Sequence, residues 1–314
     1  AKQQPDKLKA VLDKFKTDGI IPTIEAVYSK LHYPIPMGYC NIGEVIGKGD
    51  DVKNYELGDV VISNGNHAEV VSIPKHLCAK IPNSIDQKQA VFTILASISL
   101  QGIRLAKPTL GEYFVVYGLG IIGLITVQLL RANGCKVLGI DFDEGKINLA
   151  KEYGADTLCL SDDIEIIKYA KSFSRDRGVD SVIITASSKD NSIINNAAKM
   201  CRKKGRIVLV GITGLNMARE EFYKKELTFQ VSCSYGPGRY DVNYEDKGLD
   251  YPIGYVRWTQ NRNFEAIVDL ISDKKINFSN LITHSYDFDN ADNAYETIIN
   301  DQSCLGVLLK YNSE

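Results

Sequence analysis

The hydrophobic and polar positions follow two different patterns along the chain. Across residues 33–82, short runs of β-branched residues alternate with turns that contain glycine, which predicts a small β-barrel. From Gly111 onward, buried-type strands alternate with helical segments, and this alternation predicts a parallel, doubly wound α/β sheet. A helix predicted over residues 86–106 joins the two regions. Because the crossovers of such a sheet are right-handed, the carboxyl ends of its strands share one edge, where ligands bind.

The same patterns give the expected elements and domains. Residues 5–31 are expected to form two short helices that pack as an arm. The predicted strands are 44–46, 59–62, 69–73, 113–117, 136–141, 157–160, 179–184 and 206–210. The predicted helices of the α/β region are 121–133, 144–153, 164–173 and 192–203. We therefore expect a helical arm (1–31), a smaller β domain (32–107 with 285–314) and a nucleotide-binding α/β domain (108–284).

Composition narrows the class of protein. The 314 residues are 44% hydrophobic and 24% charged, which is ordinary for a globular protein. A formal net charge of -2 gives the chain no bulk attraction to nucleic acid or to anionic membranes. The seven cysteines are widely spaced, which argues against a disulfide framework and against a four-thiolate zinc site. The chain starts with a polar stretch rather than the apolar segment of a signal peptide, and we expect it in the cytoplasm.

A glycine-rich motif carries the strongest functional signal. Gly118, Gly120 and Gly123 follow the strand predicted at 113–117 and open a helix, and Asp141 lies 23 residues after Gly118 at the end of the next strand. This is the full context of a dinucleotide-binding fingerprint. The glycines allow a tight turn, the approach of a pyrophosphate to a helix N-terminus, and helix–strand packing. Asp141 is expected to accept hydrogen bonds from a ribose 2′-hydroxyl, which favours NAD over NADP because a 2′-phosphate would bring like charge.

Further cofactor contacts are expected beside this motif and at later strand ends. For the hydroxyl groups at the strand ends, a structural capping role is an equally good alternative. The candidates beside the motif are Ile121, Ile122 and Lys146, and those expected to face the nicotinamide half are Thr185, Ala186, Gly211, Ile212 and Thr213.

The order of these regions resembles the medium-chain dehydrogenase/reductases, the family that includes the zinc-type alcohol dehydrogenases. Residues 38–45 (GYCNIGEV) are similar to its GHE-type segment, residues 53–61 (KNYELGDVV) to its GD-V turn, and residues 66–70 (NHAEV) to its A-E-Y strand. The resemblance covers nearly all of residues 33–314. It implies a Rossmann domain together with a smaller GroES-like β-barrel domain, and an oxidoreductase acting on alcohol or carbonyl groups.

A finer resemblance is to the dehydrogenase half of bacterial bi-domain oxidoreductases from surface-polysaccharide gene clusters. It rests on residues 1–19, 38–45 and 232–258. It implies a sugar or sugar-nucleotide-like substrate, a separate C-terminal glucose-fructose oxidoreductase-like domain, and opening barrel strands that this chain does not contain. The family also implies a homo-oligomer, formed through an edge strand at 227–232 or 305–309.

The family resemblance raises the question of zinc. Tyr39 and Cys40 stand where zinc-dependent members carry the histidine and glutamate of the GHE segment. Cys40, His67 and His76 remain an alternative ligand set, because catalytic zinc needs three protein ligands. We predict a zinc-independent enzyme with no metal site.

Without zinc, a carbonyl oxygen needs a proton donor nearby. Tyr39 is the first candidate for this role and His67 the second, and Cys40 and Asn41 are expected in the same cleft. A packing role is the alternative for each. Tyr235 and Arg239, in a segment rich in aromatic residues and arginine, are candidates for substrate contact, with a domain or subunit contact as the alternative.

Three functions therefore stand side by side at this point. The first is a zinc-independent, NAD-dependent oxidoreductase that binds a small-molecule substrate and neither nucleic acid nor a membrane. The second is a zinc-dependent alcohol dehydrogenase with unusual ligands. The third is a nucleotide-binding scaffold or regulatory half of a larger bi-domain enzyme.

Overall fold

The computed structural model describes residues 36–160 and 165–311. The arm expected at residues 1–31 lies outside this part of the chain, as does the first residue of the helix expected at 164–173. The chain divides into two units at Gly38, and every element described below belongs to the second unit, Tyr39–Glu314.

The first region forms a small antiparallel sheet in the order β1-β2-β3. Its strands are β1 Asn41–Glu44, β2 Val60–Ser63 and β3 Cys78–Lys80. The strand predicted at 69–73 is wrong, because those residues form no strand. Both edges of β2 are already paired, one with β1 and the other with β3. The apolar run 69–73 therefore finds no free edge there, and Val70 is exposed.

The second region confirms the predicted parallel, doubly wound sheet. Six parallel strands run in the order β6-β5-β4-β7-β8-β9. Their bounds are β4 Tyr113–Tyr117, β5 Lys136–Asp141, β6 Asp156–Cys159, β7 Val179–Ile184, β8 Cys201–Leu209 and β9 Thr228–Val231.

Helices connect these strands and cover the sheet. The helix predicted at 86–106 is split in two at Val91 and Phe92, and Asp86 caps its start by accepting a hydrogen bond from the backbone N–H of Lys88. The helices are α1 Gln87–Ala90, α2 Thr93–Ala106, α3 Ile121–Ala132, α4 Glu144–Glu152, α5 Ile166–Phe173, α6 Ser192–Met200, α7 Arg219–Lys225, α8 Val242–Glu245 and α9 Gln260–Ser272.

A second error in the predicted elements lies at the start of β8. The helix predicted at 192–203 ends at Met200, and Cys201 already belongs to the strand. Cys201 pairs with Val179 while Arg206 pairs with Ser181, so several residues of β8 bulge out between two positions on β7. Lys204 has a φ of +59° within this bulge. Such an irregularity leaves no period in the sequence, which is why the strand was predicted to begin only at residue 206.

The tail of the chain forms a separate two-stranded parallel sheet. It consists of β10 Ile282–Asp287, α10 Ala291–Asn300 and β11 Gly306–Lys310. Gly306 lies so close to the Phe92 ring that an added Cβ would be 2.7 Å from it. The tail is thus tied to the segment that follows the small antiparallel sheet.

The core follows from the alternation of side chains along β4. Phe114 and Val116 belong to a cluster of buried apolar residues shared with α2 and α3, whereas Val115 and Tyr117 belong to a second cluster shared with α6. Successive side chains of a strand point to opposite faces, so helices on both faces bury both sets. In the described part of the chain, no helix combines the length and apolar character needed to cross a membrane.

Candidate active site

The glycine motif lies where β4 ends and α3 begins. Gly118 has a φ of +98°, and a Cβ there would lie 2.5 Å from the backbone nitrogen of Ala186. A Cβ on Gly123 would lie 2.0 Å from the carbonyl oxygen of Gly118. Both positions therefore require glycine for packing within the protein. Gly120 differs from them, since a Cβ there would meet no atom within 4 Å.

The N-terminus of α3 has no protein cap. The first helical hydrogen bond runs from the N–H of Leu124 to the carbonyl of Gly120, at 2.9 Å. No side chain caps Gly120, and no acceptor among the described residues bonds the N–H groups of Ile121, Ile122 or Gly123. Free N–H groups and the helix dipole favour an anion at such a terminus. This end of α3 is thus able to hold a phosphate group.

Asp141 ends β5 directly beside the motif, and its side chain is only 7% exposed. One carboxylate oxygen accepts the backbone N–H of Leu119 at 2.6 Å. The other oxygen accepts the N–H groups of Phe142 at 2.8 Å and Asp143 at 3.1 Å. The sequence did not indicate this anchoring role. A carboxylate has about four lone-pair sites, so the predicted ribose contact stays open.

The other predicted cofactor residues surround the same edge. The Nζ atom of Lys146 lies 3.1 Å from the Oδ2 atom of Asp143 and 5.9 Å from the ring centroid of Phe142, whose side chain is exposed. Lys146 thus lies in the first turn of α4, the helix that follows β5 and Asp141. Its ammonium group is held at the surface beside an exposed aromatic ring.

The strand ends after β7 and β8 are joined to the motif by hydrogen bonds. Thr185 donates its hydroxyl to the carbonyl of Gly118 at 2.5 Å, and the N–H of Ala186 donates to the carbonyl of Tyr117. Thr213 donates its hydroxyl to the carbonyl of Asp190 at 2.8 Å. Both hydroxyl groups therefore have structural partners. These contacts are of the kind expected if the two hydroxyls have a structural capping role.

Gly211 and Ile212 follow β8 on the same edge of the sheet. The N–H of Ile212 donates to the carbonyl of Ala186, and a Cβ on Gly211 would lie 2.2 Å from that same carbonyl oxygen. The Ile212 side chain is 66% exposed. An exposed isoleucine at the carboxyl edge offers an apolar surface to a bound ring.

Three of the four catalytic candidates, Tyr39, Cys40 and Asn41, lie together where the small sheet begins. Asn64, which the sequence analysis missed, donates its amide N–H to the carbonyl of Tyr39 at 2.8 Å and to the hydroxyl of Tyr235 at 3.1 Å. Burial raises the pKa of Tyr39, and the neighbouring Cys40 raises it further. Burial also raises the pKa of the Cys40 thiol to about 12. Asn41 begins β1 and pairs with Ser63.

The fourth catalytic candidate, His67, contacts the tail of the chain. Its Nδ1 atom lies 2.7 Å from the hydroxyl of Tyr295 on α10. Burial lowers the pKa of His67 below its ordinary value, so the ring is neutral at pH 7. Tyr295 was not singled out in the sequence, because nothing in a lone tyrosine of an amphipathic helix reveals a partner more than 200 residues away.

Tyr235 and Arg239 are more enclosed than the sequence indicated. Tyr235 is buried, its ring contacts Phe264, and burial raises its pKa. The Nη1 atom of Arg239 donates to both carboxylate oxygens of Glu245, at 2.7 and 2.9 Å. The charge of Arg239 is therefore compensated within the protein. Tyr235 still connects this segment to the small sheet through Asn64.

The three residues of the alternative zinc set each contact a different part of the protein. Cys40 packs against the core, His67 bonds Tyr295, and the Nδ1 atom of His76 lies 2.8 Å from the carbonyl oxygen of Tyr244, whose ring stacks on it. Among residues 36–160 and 165–311, no group of three His, Cys, Asp or Glu residues has the arrangement of a metal site. The donor set present in this part of the chain does not fit a zinc ion.

Comparison with known proteins agrees with this architecture. A family model described as zinc-binding dehydrogenase matches residues 122–245. D-guloside 3-dehydrogenase of Escherichia coli K12 is 28% identical over 270 residues, which is 82% of this chain and 72% of that protein.

Two solved structures share the fold. The 2R,3R-butanediol dehydrogenase of Bacillus subtilis superposes with a TM-score of 0.72 at 19% identity, covering 89% of this chain and 81% of that one. A protein described as a short chain alcohol dehydrogenase of Escherichia coli CFT073, in complex with NADH, superposes with a TM-score of 0.67 at 21% identity, covering 86% and 82%.

Proposed function

We propose that the chain is an oxidoreductase of the medium-chain, alcohol dehydrogenase-like kind, and that it moves a hydride between NAD and a sugar-like alcohol or carbonyl without zinc. The observation that carries the proposal is the uncapped N-terminus of α3, where Gly120 borders open space. The name of the D-guloside 3-dehydrogenase relative supports a sugar or sugar-nucleotide-like substrate.

The residues at this edge of the sheet fit a dinucleotide. The free N–H groups of Ile121, Ile122 and Gly123 would bind its pyrophosphate. Asp141 would accept the ribose hydroxyls of NAD and would repel the 2′-phosphate of NADP. Lys146 and the segments that begin at Thr185 and at Gly211 would border the rest of the dinucleotide. When bound, the nicotinamide supplies the hydride chemistry.

Tyr39 is the proposed proton donor. Tyr39 as a whole is 48% exposed, and its carbonyl accepts a hydrogen bond from the amide of Asn64. Because burial raises its pKa, the side chain keeps its proton at neutral pH. In the direction of reduction, Tyr39 would give its phenolic proton to the carbonyl oxygen, and bound NADH would supply the hydride that the carbonyl carbon needs to become an alcohol. His67, Cys40 and Asn41 would help to shape the substrate cleft.

Calorimetric titration with NAD and NADP tests the cofactor site. In the Gly120→Val variant, the added Cβ meets no protein atom within 4 Å, and the side chain would occupy the proposed pyrophosphate position. We expect it to weaken NAD binding at least about a hundredfold, since a whole set of charge-assisted hydrogen bonds is lost. Gly47→Ala is the matched control, because a Cβ at Gly47 also meets no atom within 4 Å. Equal binding by Gly120→Val and the wild type would refute the site.

Metal analysis of the purified, active protein tests the absence of zinc. Because catalytic zinc needs three protein ligands, we expect less than about one tenth of an equivalent of zinc. We also expect the activity to survive treatment with a chelator. A full equivalent of zinc would revive the zinc-dependent alternative. NAD binding without turnover of any sugar alcohol would instead favour the scaffold function.

The domain and subunit organisation is also a proposal. Contacts of the tail with His67 and Phe92 support a small domain built from residues 32–107 and 285–314, with residues 108–284 as the cofactor domain. The strand β9 lies at the edge of the six-stranded sheet, and its Val231 is exposed. An open edge of this kind supports a homodimer formed by pairing of two β9 strands.

A further inference from the structure

A pocket of about 400 Å³ lies at the edge of the sheet opposite the candidate active site. It is bordered by Gly178, just before β7, and by the first residues of β8. In a parallel sheet the amino ends of the strands share one edge and the carboxyl ends share the other. The pocket is therefore separate from the glycine motif.

The lining of this pocket is strongly cationic. Two carboxylates, Asp176 and Glu221, face a larger number of basic side chains from α5, α6, α7, β8 and the loop before β7. These basic residues are Lys171, Arg177, Lys199, Arg202, Lys203 and Lys225. The imbalance stands out because the whole chain has a net charge of -2.

Internal contacts account for only two of the six cations. Arg202 pairs with Asp180 at 2.6 Å. Lys225 pairs with Glu221 at 3.6 Å and also donates to the carbonyls of Ala198 and Lys199 near the end of α6. Bonds of this kind neutralise the C-terminus of a helix and are a sufficient structural reason for Lys225.

The other four cations have no such partner. Among the described residues, no carboxylate lies within ion-pair distance of Lys171, Arg177, Lys199 or Lys203. Lys171 and Lys199 lie in the last turns of α5 and α6, whose dipoles offset only about half a charge each. A clear positive excess therefore remains in the pocket.

The loop that carries Arg177 has a constrained backbone. Arg175 and Asp176 have φ values of +56° and +61°, and Gly178 has +82°. A Cβ on Gly178 would lie 2.8 Å from the backbone nitrogen of Arg202, so this loop is packed tightly against β8. Side chains carried by a fixed loop lose less entropy when they bind a ligand.

We propose that this pocket binds a small anion that carries at least two phosphate groups. Four unpaired cations from separate elements match several negative charges better than one, and lysine and arginine are the usual partners of phosphate. The volume suits a small molecule. A free polyphosphate and the phosphate chain of a nucleotide share this chemistry, and a site so far from the reaction would regulate or anchor the protein rather than take part in the hydride transfer.

Calorimetric titration of the full chain with pyrophosphate tests the proposal. The Lys199→Gln/Lys203→Gln variant removes two unpaired cations whose side chains are exposed, so its fold is expected to survive. We expect pyrophosphate to bind this variant at least about tenfold more weakly than the wild type. The matched control is Lys274→Gln/Lys275→Gln, which removes two adjacent exposed lysines on another surface and should leave binding unchanged.

The Gly120→Val variant separates this pocket from the glycine motif, because only the motif is blocked there. Pyrophosphate binding that persists in Gly120→Val and is lost in the Lys199/Lys203 variant supports the proposal. If ATP also binds Gly120→Val and depends on Lys199 and Lys203, the source is a nucleotide, and if only pyrophosphate binds, it is a free polyphosphate. Undiminished binding by the Lys199/Lys203 variant, equal loss in the control, or binding of a DNA duplex but not of pyrophosphate would overturn it.

Discussion

The carboxylate of Asp141 accepts a hydrogen bond from the backbone N–H of Leu119, with 2.6 Å between the two heavy atoms. Leu119 lies inside the glycine motif, whereas Asp141 ends the neighbouring strand. The acidic residue therefore fixes the loop that is proposed to hold the pyrophosphate, in addition to its expected contact with the ribose. One side chain thereby links the shape of the loop to the choice of cofactor.

Substitution of Asp141 is expected to affect stability as well as cofactor binding. Asp141→Ala leaves three backbone N–H groups without their acceptor, so the free energy of unfolding should fall by about 2–4 kcal/mol. Asp141→Asn keeps one acceptor oxygen, so its free energy of unfolding should fall by only about 1–2 kcal/mol. The same variant should show a reduced preference for NAD over NADP. Urea unfolding and calorimetric titration measure the two effects. An unchanged stability of Asp141→Ala would show that these hydrogen bonds do not anchor the loop.

The glycine motif shows how far sequence reasoning reached. The context of strand, glycines, helix and a later acidic residue depends on local backbone rules, and the bounds of β4 and β5 match the prediction. Asn64 and Tyr295 were missed because their partners are far away in the sequence and are brought near only by the packing of different elements. A sequence period carries no information on such pairs.

Tyr39→Phe is the direct test of the proposed proton donor. The variant keeps the ring and the backbone carbonyl that Asn64 holds, and it removes only the phenolic hydroxyl group. We expect kcat to fall about a hundredfold or more, the usual contribution of a general acid, with NAD affinity unchanged. Steady-state kinetics with a sugar ketone or alcohol measure kcat, and calorimetry measures the NAD affinity. Wild-type turnover would remove Tyr39 from the mechanism.

The two arginines on Trp258 give a matched pair of variants. The Arg104 guanidinium lies 3.4 Å and that of Arg257 3.8 Å from the centroid of the Trp258 ring. Only Arg104 also bonds the fully buried Asn263, at 2.7 Å. Arg104→Ala should lower the free energy of unfolding by about 1–3 kcal/mol, because the amide oxygen of Asn263 loses this donor.

Arg257→Ala is the control for that prediction. The Arg257 side chain is exposed, and its loss should change the free energy of unfolding by less than about 0.5 kcal/mol. Burial, and secondarily the charge of Arg257, lowers the pKa of Arg104 to about 10, so removal of Arg257 relieves a repulsion. Circular dichroism during urea unfolding avoids any change in Trp258 fluorescence. Equal destabilisation by both variants would contradict the role assigned to Asn263.

Thiol labelling should divide the cysteines into two classes. Burial raises the pKa values of Cys40 and Cys201 to about 12, so both remain protonated at neutral pH and shielded from reagents. Cys233 is exposed. Mass spectrometry after brief treatment with iodoacetamide at pH 7.5 should find Cys233 modified and the other two intact until the protein is unfolded in urea. Rapid labelling of Cys40 in the native protein would show that the cleft is more open than its burial indicates.

His67 should make the protein less stable in mild acid. Burial lowers its pKa below the ordinary value of 6.5, so below that pH the unfolded chain takes up a proton more readily than the folded one. The contribution of His67 is therefore fully present above about pH 6.5 and is lost as the pH falls through its lowered pKa. We expect the difference in Tm between pH 7.5 and pH 5.5 to be smaller in His67→Gln than in the wild type. His284→Gln, on β10 beside Asp301, is the control and should retain the wild-type acid loss, and an equal reduction in both variants would assign the effect to another group.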